Sequence, residues 1–222
     1  MNDKKICFIM CTNDPLYAQE AMFFINMLEI PPGYEIDVLT IAEAESMTSG
    51  YNEGMNASDA KYKVYMHQDV FIVENKFIYY LLDLFQDHQI GMVGMVGSPK
   101  LPRNKVMWNG YRVGKIYSNN VYGTRLWELG KVEGKCQDVE AVDGLLIATQ
   151  YDIRWREDIF DKWDFYDVSQ STEFVQAGYR VVVPNMDKPW CIHDDGFMDL
   201  KNYYEQRRRF LKEYDKSDNS VN

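Results

Sequence analysis

On three grounds the chain reads as an α/β protein, with a mostly parallel central sheet flanked by helices. Short apolar runs of strand length recur through its first half, interleaved with amphipathic stretches of helix length. Turn-forming Pro, Gly, Asn and Asp mark the junctions. Strands alternating with helices imply crossover connections, which set parallel strands side by side. The 222 residues, 46% of them hydrophobic, suffice for one sizeable core, and no internal repeat or low-complexity linker divides them. One domain spanning 1–222 is expected.

Residues 6–11 form a compact apolar run suited to a buried strand. Asn13-Asp14-Pro15 then supplies a capping residue and a proline at a first helical position, opening an amphipathic helix to about Leu28. Pro31-Pro32-Gly33 is a turn, and residues 35–41 alternate as a second strand. Residues 49–58 read as a short helix, 62–66 as a third strand, 76–86 as a helix and 90–96 as a fourth strand. From 98 to 138 the periodicity dissolves into a stretch rich in Gly, Asn, Tyr and Trp, too long for an ordinary connection. Its aromatic content predicts an ordered, functional insert. Residues 140–149 resume as a strand, 168–177 as a helix and 179–183 as a strand. A polar helix over about 200–214 closes the chain, with 216–222 expected to fray.

Composition narrows the function classes. The net charge of −10 argues against nucleic acid as a partner, because binding phosphates needs clustered Lys and Arg. The one dense basic run, Arg207-Arg208-Arg209, reads as a solvated helix face, leaving at most peripheral membrane contact. No segment approaches the ~20 apolar residues of a membrane span, and the N-terminal apolar stretch is too short for a secretory signal. Cys7, Cys11, Cys136 and Cys191 form no metal-finger spacing, so free thiols in a reducing cytoplasm are expected. The chain carries no GxGxxG or GxxxxGK[ST] loop and no Gly-x-Ser-x-Gly elbow, which argues against dinucleotide, P-loop and serine-hydrolase chemistry.

Four polar clusters stand out. The strand over 62–66 ends in His67-Gln68-Asp69. In an open parallel sheet such a strand end faces the ligand crevice. Residues two apart on an extended chain share a side, so an imidazole and a carboxylate in this relation suit a divalent cation. The plainer reading of Asp69 is a cap for the next element. Cys191-Ile192-His193-Asp194-Asp195 follows a Pro-containing turn, and His193 is either a further metal ligand or a structural histidine. In Trp163-Asp164-Phe165-Tyr166-Asp167, at a helix start, Asp167 is a cap or a functional carboxylate. In Val142-Asp143-Gly144, the glycine permits close approach of a ligand, and Asp143 either binds a hydroxylated substrate or satisfies a turn.

Taken in order, these segments resemble the bacterial glycosyltransferase family two, of the GT-A type fold. In particular they resemble the glycosyltransferase-like domain named after a streptomycin-biosynthesis protein. The likeness runs over about residues 5–195: Thr12-Asn13-Asp14, Ser49-Gly50-Tyr51-Asn52-Glu53-Gly54, Tyr65 to Val70, Gly91 to Gly94, Ala141 to Gly144, Phe165-Tyr166-Asp167, Ala177-Gly178-Tyr179 and His193.

The resemblance implies a nucleotide-sugar-dependent, inverting, metal-assisted glycosyltransferase acting on a glycan or other hydroxyl acceptor. His67-Gln68-Asp69 takes the place of the family's Asp-x-Asp motif, with His67 departing from the usual first Asp. Asn13, Asp14, Asn52, His67 and Asp69 are then expected at the donor. Asp69 and His193 are expected on Mn²⁺ or Mg²⁺, and Asp167 as the catalytic base. Asp143, Gly144, Trp163 and Asp164 are expected at the acceptor. By the same likeness, about 1–97 form a nucleotide-sugar-binding half, 98–138 an acceptor lid, 139–198 a catalytic and acceptor half, and 199–222 a C-terminal helix and tail. The His67 departure also supports an alternative, a nucleotide-sugar-binding or scaffold protein without catalysis.

Overall fold

A computed structural model of the chain describes residues 1–196 and 200–215. Thirteen strands, five helices and one 3₁₀ turn at Met107–Asn109 make up the described residues. In chain order the first elements are β1 (Asn2–Thr12), α1 (Pro15–Asn26), β2 (Glu35–Ala42), α2 (Met47–Ala57), β3 (Ala60–Met66), β4 (Val70–Ile72), α3 (Phe77–Leu84), β5 (Ile90–Gly94) and β6 (Val96–Ser98). They continue with β7 (Val113–Asn120), β8 (Gly123–Glu128), β9 (Cys136–Asp138), β10 (Ala141–Val142), β11 (Leu146–Thr149), α4 (Tyr166–Gln176), β12 (Arg180–Pro184), β13 (Cys191–Asp194) and α5 (Tyr203–Tyr214).

Seven strands form the main sheet in the order β2-β1-β3-β11-β5-β12-β9. The β1–β2, β1–β3 and β5–β12 pairings are parallel, whereas β11 runs antiparallel between β3 and β5, and β9 runs antiparallel to β12. The sheet is therefore mixed rather than mostly parallel. The cause is local. The expected strand over 140–149 is broken at Asp143-Gly144-Leu145 into β10 and β11, and only the second part enters the main sheet. A second sheet, ordered β10-β6-β7-β13-β4 with β8 on β7, packs beside it.

Alternation along β1 feeds two cores. Ile6, Phe8 and Met10 face the cluster that holds Ala21 and Ile25 of α1 with Phe77 and Leu81 of α3. Cys7, Ile9 and Cys11 face the cluster of Tyr51 and Met55 from α2 and Phe174 from α4. The layering is thus helix, sheet, helix. Helix α1 starts where Asp14 accepts a hydrogen bond from the Leu16 amide at 2.8 Å, with Pro15 following. Helix α2 lies so close to β1 that a Cβ on Gly54 would stand 2.4 Å from Ile9 Cγ2. A third cluster fastens α5 to the body, with Phe210 buried against Phe160, Phe165 and Val168.

The 98–138 stretch is more regular than its sequence suggests. It holds the β7–β8 hairpin and β9, an edge strand of the main sheet. The expected tail over 216–222 lies outside the described residues.

Candidate active site

Parallel pairing of β1, β2 and β3 puts their carboxyl ends on one edge of the main sheet, where α/β proteins bind ligands. A cavity of about 320 Å³ opens there, lined by Cys11, Thr12, Asn13, Glu43, Ala44, Met47, His67, Gln68, Asp69 and Trp163. Gln68 ties the rim together. Its Oε1 accepts from the amides of Asn13 and Asp14 at 3.0 Å each, and its Nε2 donates to Asn13 Oδ1 at 2.5 Å. The loop after β1 is thereby fixed to the turn after β3.

That turn carries His67 and Asp69, and β4 follows it directly. β4 pairs antiparallel with β13, setting Val70 opposite His193. His193 Nε2 lies 3.6 Å from Asp69 Oδ1, and His67 Nδ1 lies 3.9 Å from the same oxygen. One donor atom from each of the three residues falls within 4.8 Å of the others. Asp69 Oδ1 is buried, with no hydrogen-bond partner among the described residues. A buried carboxylate oxygen left open between two imidazoles fits a divalent cation, because leaving it unmet is costly. The electrostatics agree. Burial pushes the Asp69 carboxyl up, but the imidazoles of His193 and His67 outweigh it and hold the group below its ordinary range. His193 is pulled down by burial and more strongly raised by Asp69, whereas burial dominates at His67 and lowers it.

β11 runs antiparallel to β3, so the turn that precedes it, Asp143-Gly144-Leu145, arrives at the carboxyl end of β3. The His67 amide donates to Leu145 O at 3.0 Å. The Asp143 carboxylate caps its own turn by accepting from the Leu145 amide at 3.1 Å, and its charge is felt by His67, His193 and Asp167. Asn13 and Asp69 line the cavity, and the turn that carries Asp143 is held beside it by the His67–Leu145 hydrogen bond.

Asp167 sits in the first turn of α4, after Phe165, a non-glycine residue at φ 61°. A bulky side chain held in left-handed backbone is strained and needs firm surroundings, here Tyr203 and Phe210 packed on its ring. Asp167 accepts from the Gly144 amide at 3.0 Å and the Val168 amide at 2.8 Å. Burial, then the Asp143 charge, raise its carboxyl to about 7 despite those amides. A carboxylate poised near neutrality is suited to take a proton.

Other sequence-selected residues fall into place unevenly. Asp14 is a helix cap at the edge of the site. Trp163, 46% exposed, stands on the cavity wall beside Asn13 and Asp69, and so next to the residues expected at the donor. Asp164 adjoins it, its charge felt at Tyr203. Asn52 is not in the cleft. It is buried in α2, with Nδ2 donating to Trp155 O and Oδ1 accepting from the Trp155 amide, both at 2.9 Å. Gly144 is covered rather than exposed, since a Cβ there would stand 2.1 Å from the Tyr166 hydroxyl. Sequence reasoning did not single out Glu43, Met47 or the clamping role of Gln68. For Gln68 the signal was its position between His67 and Asp69.

With this geometry in view, a protein-family model described as the glycosyltransferase-like family matches residues 7–214, and the chain belongs to that family. No curated protein sequence matches it. Among solved structures it is similar to S. aureus TarS, with a TM-score of 0.61 and 12% identity over 94% of this chain and 39% of that one. It is also similar to the mannosyltransferase PcManGT from Pyrobaculum calidifontis, solved with GDP-Man and Mn²⁺, at TM-score 0.59 and 13% identity over 100% of this chain and 66% of that one. TarS 1–349 in complex with UDP-GlcNAc gives a TM-score of 0.56 at 10% identity, over 94% of this chain and 66% of that one. The fold is that of GT-A glycosyltransferases, and the chain spans less than two-thirds of these relatives' own lengths. No helix among the described residues is long and apolar enough to cross a membrane.

Proposed function

We propose that the chain transfers a sugar from a nucleoside diphosphate to a hydroxyl group of a glycan or similar acceptor, with inversion, as a member of the streptomycin-biosynthesis-type branch of its family. The observation that carries the reading is the cluster of His67, Asp69 and His193 at the carboxyl end of β3, with the Asp167 carboxylate held nearby on the Gly144 amide. Asp69 is kept anionic between two imidazoles, and Asp167 is raised to about 7.

In this reading the donor occupies the cavity at the ends of β1, β2 and β3, with Asn13, Gln68 and Trp163 on its walls. Asp69 and His193, joined by His67, would hold Mn²⁺ or Mg²⁺, the imidazoles favouring Mn²⁺. Bound there, the cation supplies charge stabilisation for the departing diphosphate. Asp167 takes the proton from the acceptor hydroxyl as its oxygen attacks the anomeric carbon. The Gly144 amide steadies the base, and Asp143 raises its affinity for the proton. Asp143, Asp164 and the aromatic face of Trp163 bound the acceptor side. The 98–138 segment acts as an acceptor lid through Trp108, Trp127 and the exposed Tyr122. The charge of −10 supports partners other than nucleic acid, and the free cysteines are in keeping with the cytoplasm, with at most peripheral membrane contact.

The test is a panel of nucleoside diphosphate sugars assayed for binding and for release of nucleoside diphosphate, with Mn²⁺ and with EDTA. The reading expects at least one donor to bind in a Mn²⁺-dependent way and to turn over slowly to water even without acceptor. Binding with no turnover under any acceptor would leave a sugar-nucleotide-binding protein instead.

A further inference from the structure

His67 stands where a carboxylate was expected, and an imidazole can serve a cation only if one ring nitrogen keeps its lone pair pointed inward. The contacts of the two ring nitrogens of His67 differ. Its Nε2 is hydrogen-bonded to the Tyr166 hydroxyl. Its Nδ1 faces Asp69 Oδ1 at 3.9 Å, too far for a hydrogen bond, and that oxygen has no other partner among the described residues. Nδ1 is thus not spending a proton on Asp69. For Nδ1 to bring a lone pair to the point shared with Asp69 and His193, the proton must sit on Nε2 and be donated to the Tyr166 oxygen.

Tyr166 is itself held rigidly. Its ring is buried and meets Tyr51 edge-on at 6.0 Å and Trp155 at 6.1 Å. The slot for its hydroxyl exists because residue 144 lacks a side chain, since a Cβ there would stand 2.1 Å from the oxygen. The same Gly144 donates its amide to Asp167, the residue after Tyr166.

We propose that Tyr166 is a positioning residue for the cation site: it fixes the His67 tautomer and ring orientation so that Nδ1 becomes the third ligand atom beside Asp69 and His193. Gly144 makes room for that contact. One dipeptide, Tyr166-Asp167, therefore sets both the histidine arm of the cation site and the proton-accepting carboxylate. The inference rests on the cation-site reading of the proposed function, and its test separates the two. Partners of ligating histidines typically contribute about 10–100-fold to metal affinity, through tautomer and orientation.

The experiment compares wild type with Tyr166→Phe in donor-free protein. Mn²⁺ affinity is titrated by electron paramagnetic resonance, and imidazole tautomers are read from long-range ¹H–¹⁵N NMR, which only His67, His88 and His193 contribute to. Tyr166→Phe is expected to bind Mn²⁺ about tenfold or more weakly and to show His67 as a mixture of tautomers, with its melting transition retained. Gly144→Ala, which drives the hydroxyl off the ring from the other side, should shift both readouts the same way. A Tyr166→Phe protein with wild-type Mn²⁺ affinity, or with His67 still in the single Nε2–H form, would overturn the proposal. Wild-type protein that binds no Mn²⁺ would overturn the cation reading itself, and the tautomer readout would then decide the role of Tyr166 alone.

Discussion

Asp69 and Asp167 lie at the two ends of the His67–Tyr166 contact, yet their environments push their acidities apart. Asp69 lies on the flank built from β3, β4 and β13, between two imidazoles that hold it below the ordinary carboxylate range. Asp167 lies on the flank built from the β10–β11 turn and α4, where burial and a second carboxylate raise it to about 7. In the proposed function, the group that must stay anionic sits between two imidazoles, and the group that must accept a proton sits in a buried corner beside a second carboxylate.

The largest effect is expected when the proposed proton acceptor is neutralised with its shape kept. Asp167→Asn should lower turnover by about 10²–10⁴ and leave donor affinity nearly unchanged. The same variant carries a stability signature. The carboxyl is raised in the folded state, so its ionisation opposes folding above the unfolded value near 4, increasingly up to about pH 7 and constantly beyond. Relative to wild type, Asp167→Asn should therefore gain about 1–3 kcal/mol of stability between pH 3.5 and pH 8, on top of any pH-independent loss from giving up one acceptor oxygen. A stability difference that is the same at both pH values would count against a buried, raised carboxyl.

Asp69→Asn keeps the volume of the side chain and removes its charge, so Mn²⁺ affinity measured by titration should fall by about 10²-fold while the fold persists. A smaller effect sharpens the other flank. If Asp167 is the base, neutralising its neighbour with Asp143→Asn should move the acidic limb of the kcat/KM profile, expected near pH 7 in wild type, down by about one unit, because a like charge no longer opposes ionisation. The smallest effect is expected at the rim. Gln68→Ala frees the loop after β1 and should weaken donor binding by about fivefold through lost preorganisation, with the pH profile unmoved.

The two flanks also differ in how far the sequence reveals them. The first is nearly all local. An apolar run ending in His67-Gln68-Asp69 announces a strand end, and Asp14-Pro15 announces the helix beside it. Only the pairing of β4 with β13, which delivers His193, is non-local, and a three-residue strand has too few positions to show alternation. The second flank depends on a break inside what reads as one strand over 140–149. Apolar residues on both sides of Asp143-Gly144 hide the turn, and with it the antiparallel entry of β11. The β7–β8 hairpin was masked differently. β8 is exposed along its whole length, so neither face carries an apolar stripe. Asn52 shows the converse limit. Its place in a recognisable motif says nothing of direction, and in α2 it turns inward to cap the Trp155 backbone.

The most direct test of the two-carboxylate account measures donor binding and nucleoside diphosphate release in parallel, for wild type, Asp69→Asn and Asp167→Asn, with and without Mn²⁺. A crossed pattern is expected. Asp69→Asn loses Mn²⁺-dependent donor binding, whereas Asp167→Asn binds the donor with Mn²⁺ as wild type does and fails in turnover. Parallel losses of binding and turnover in both variants, or near-normal turnover in Asp167→Asn, would contradict it.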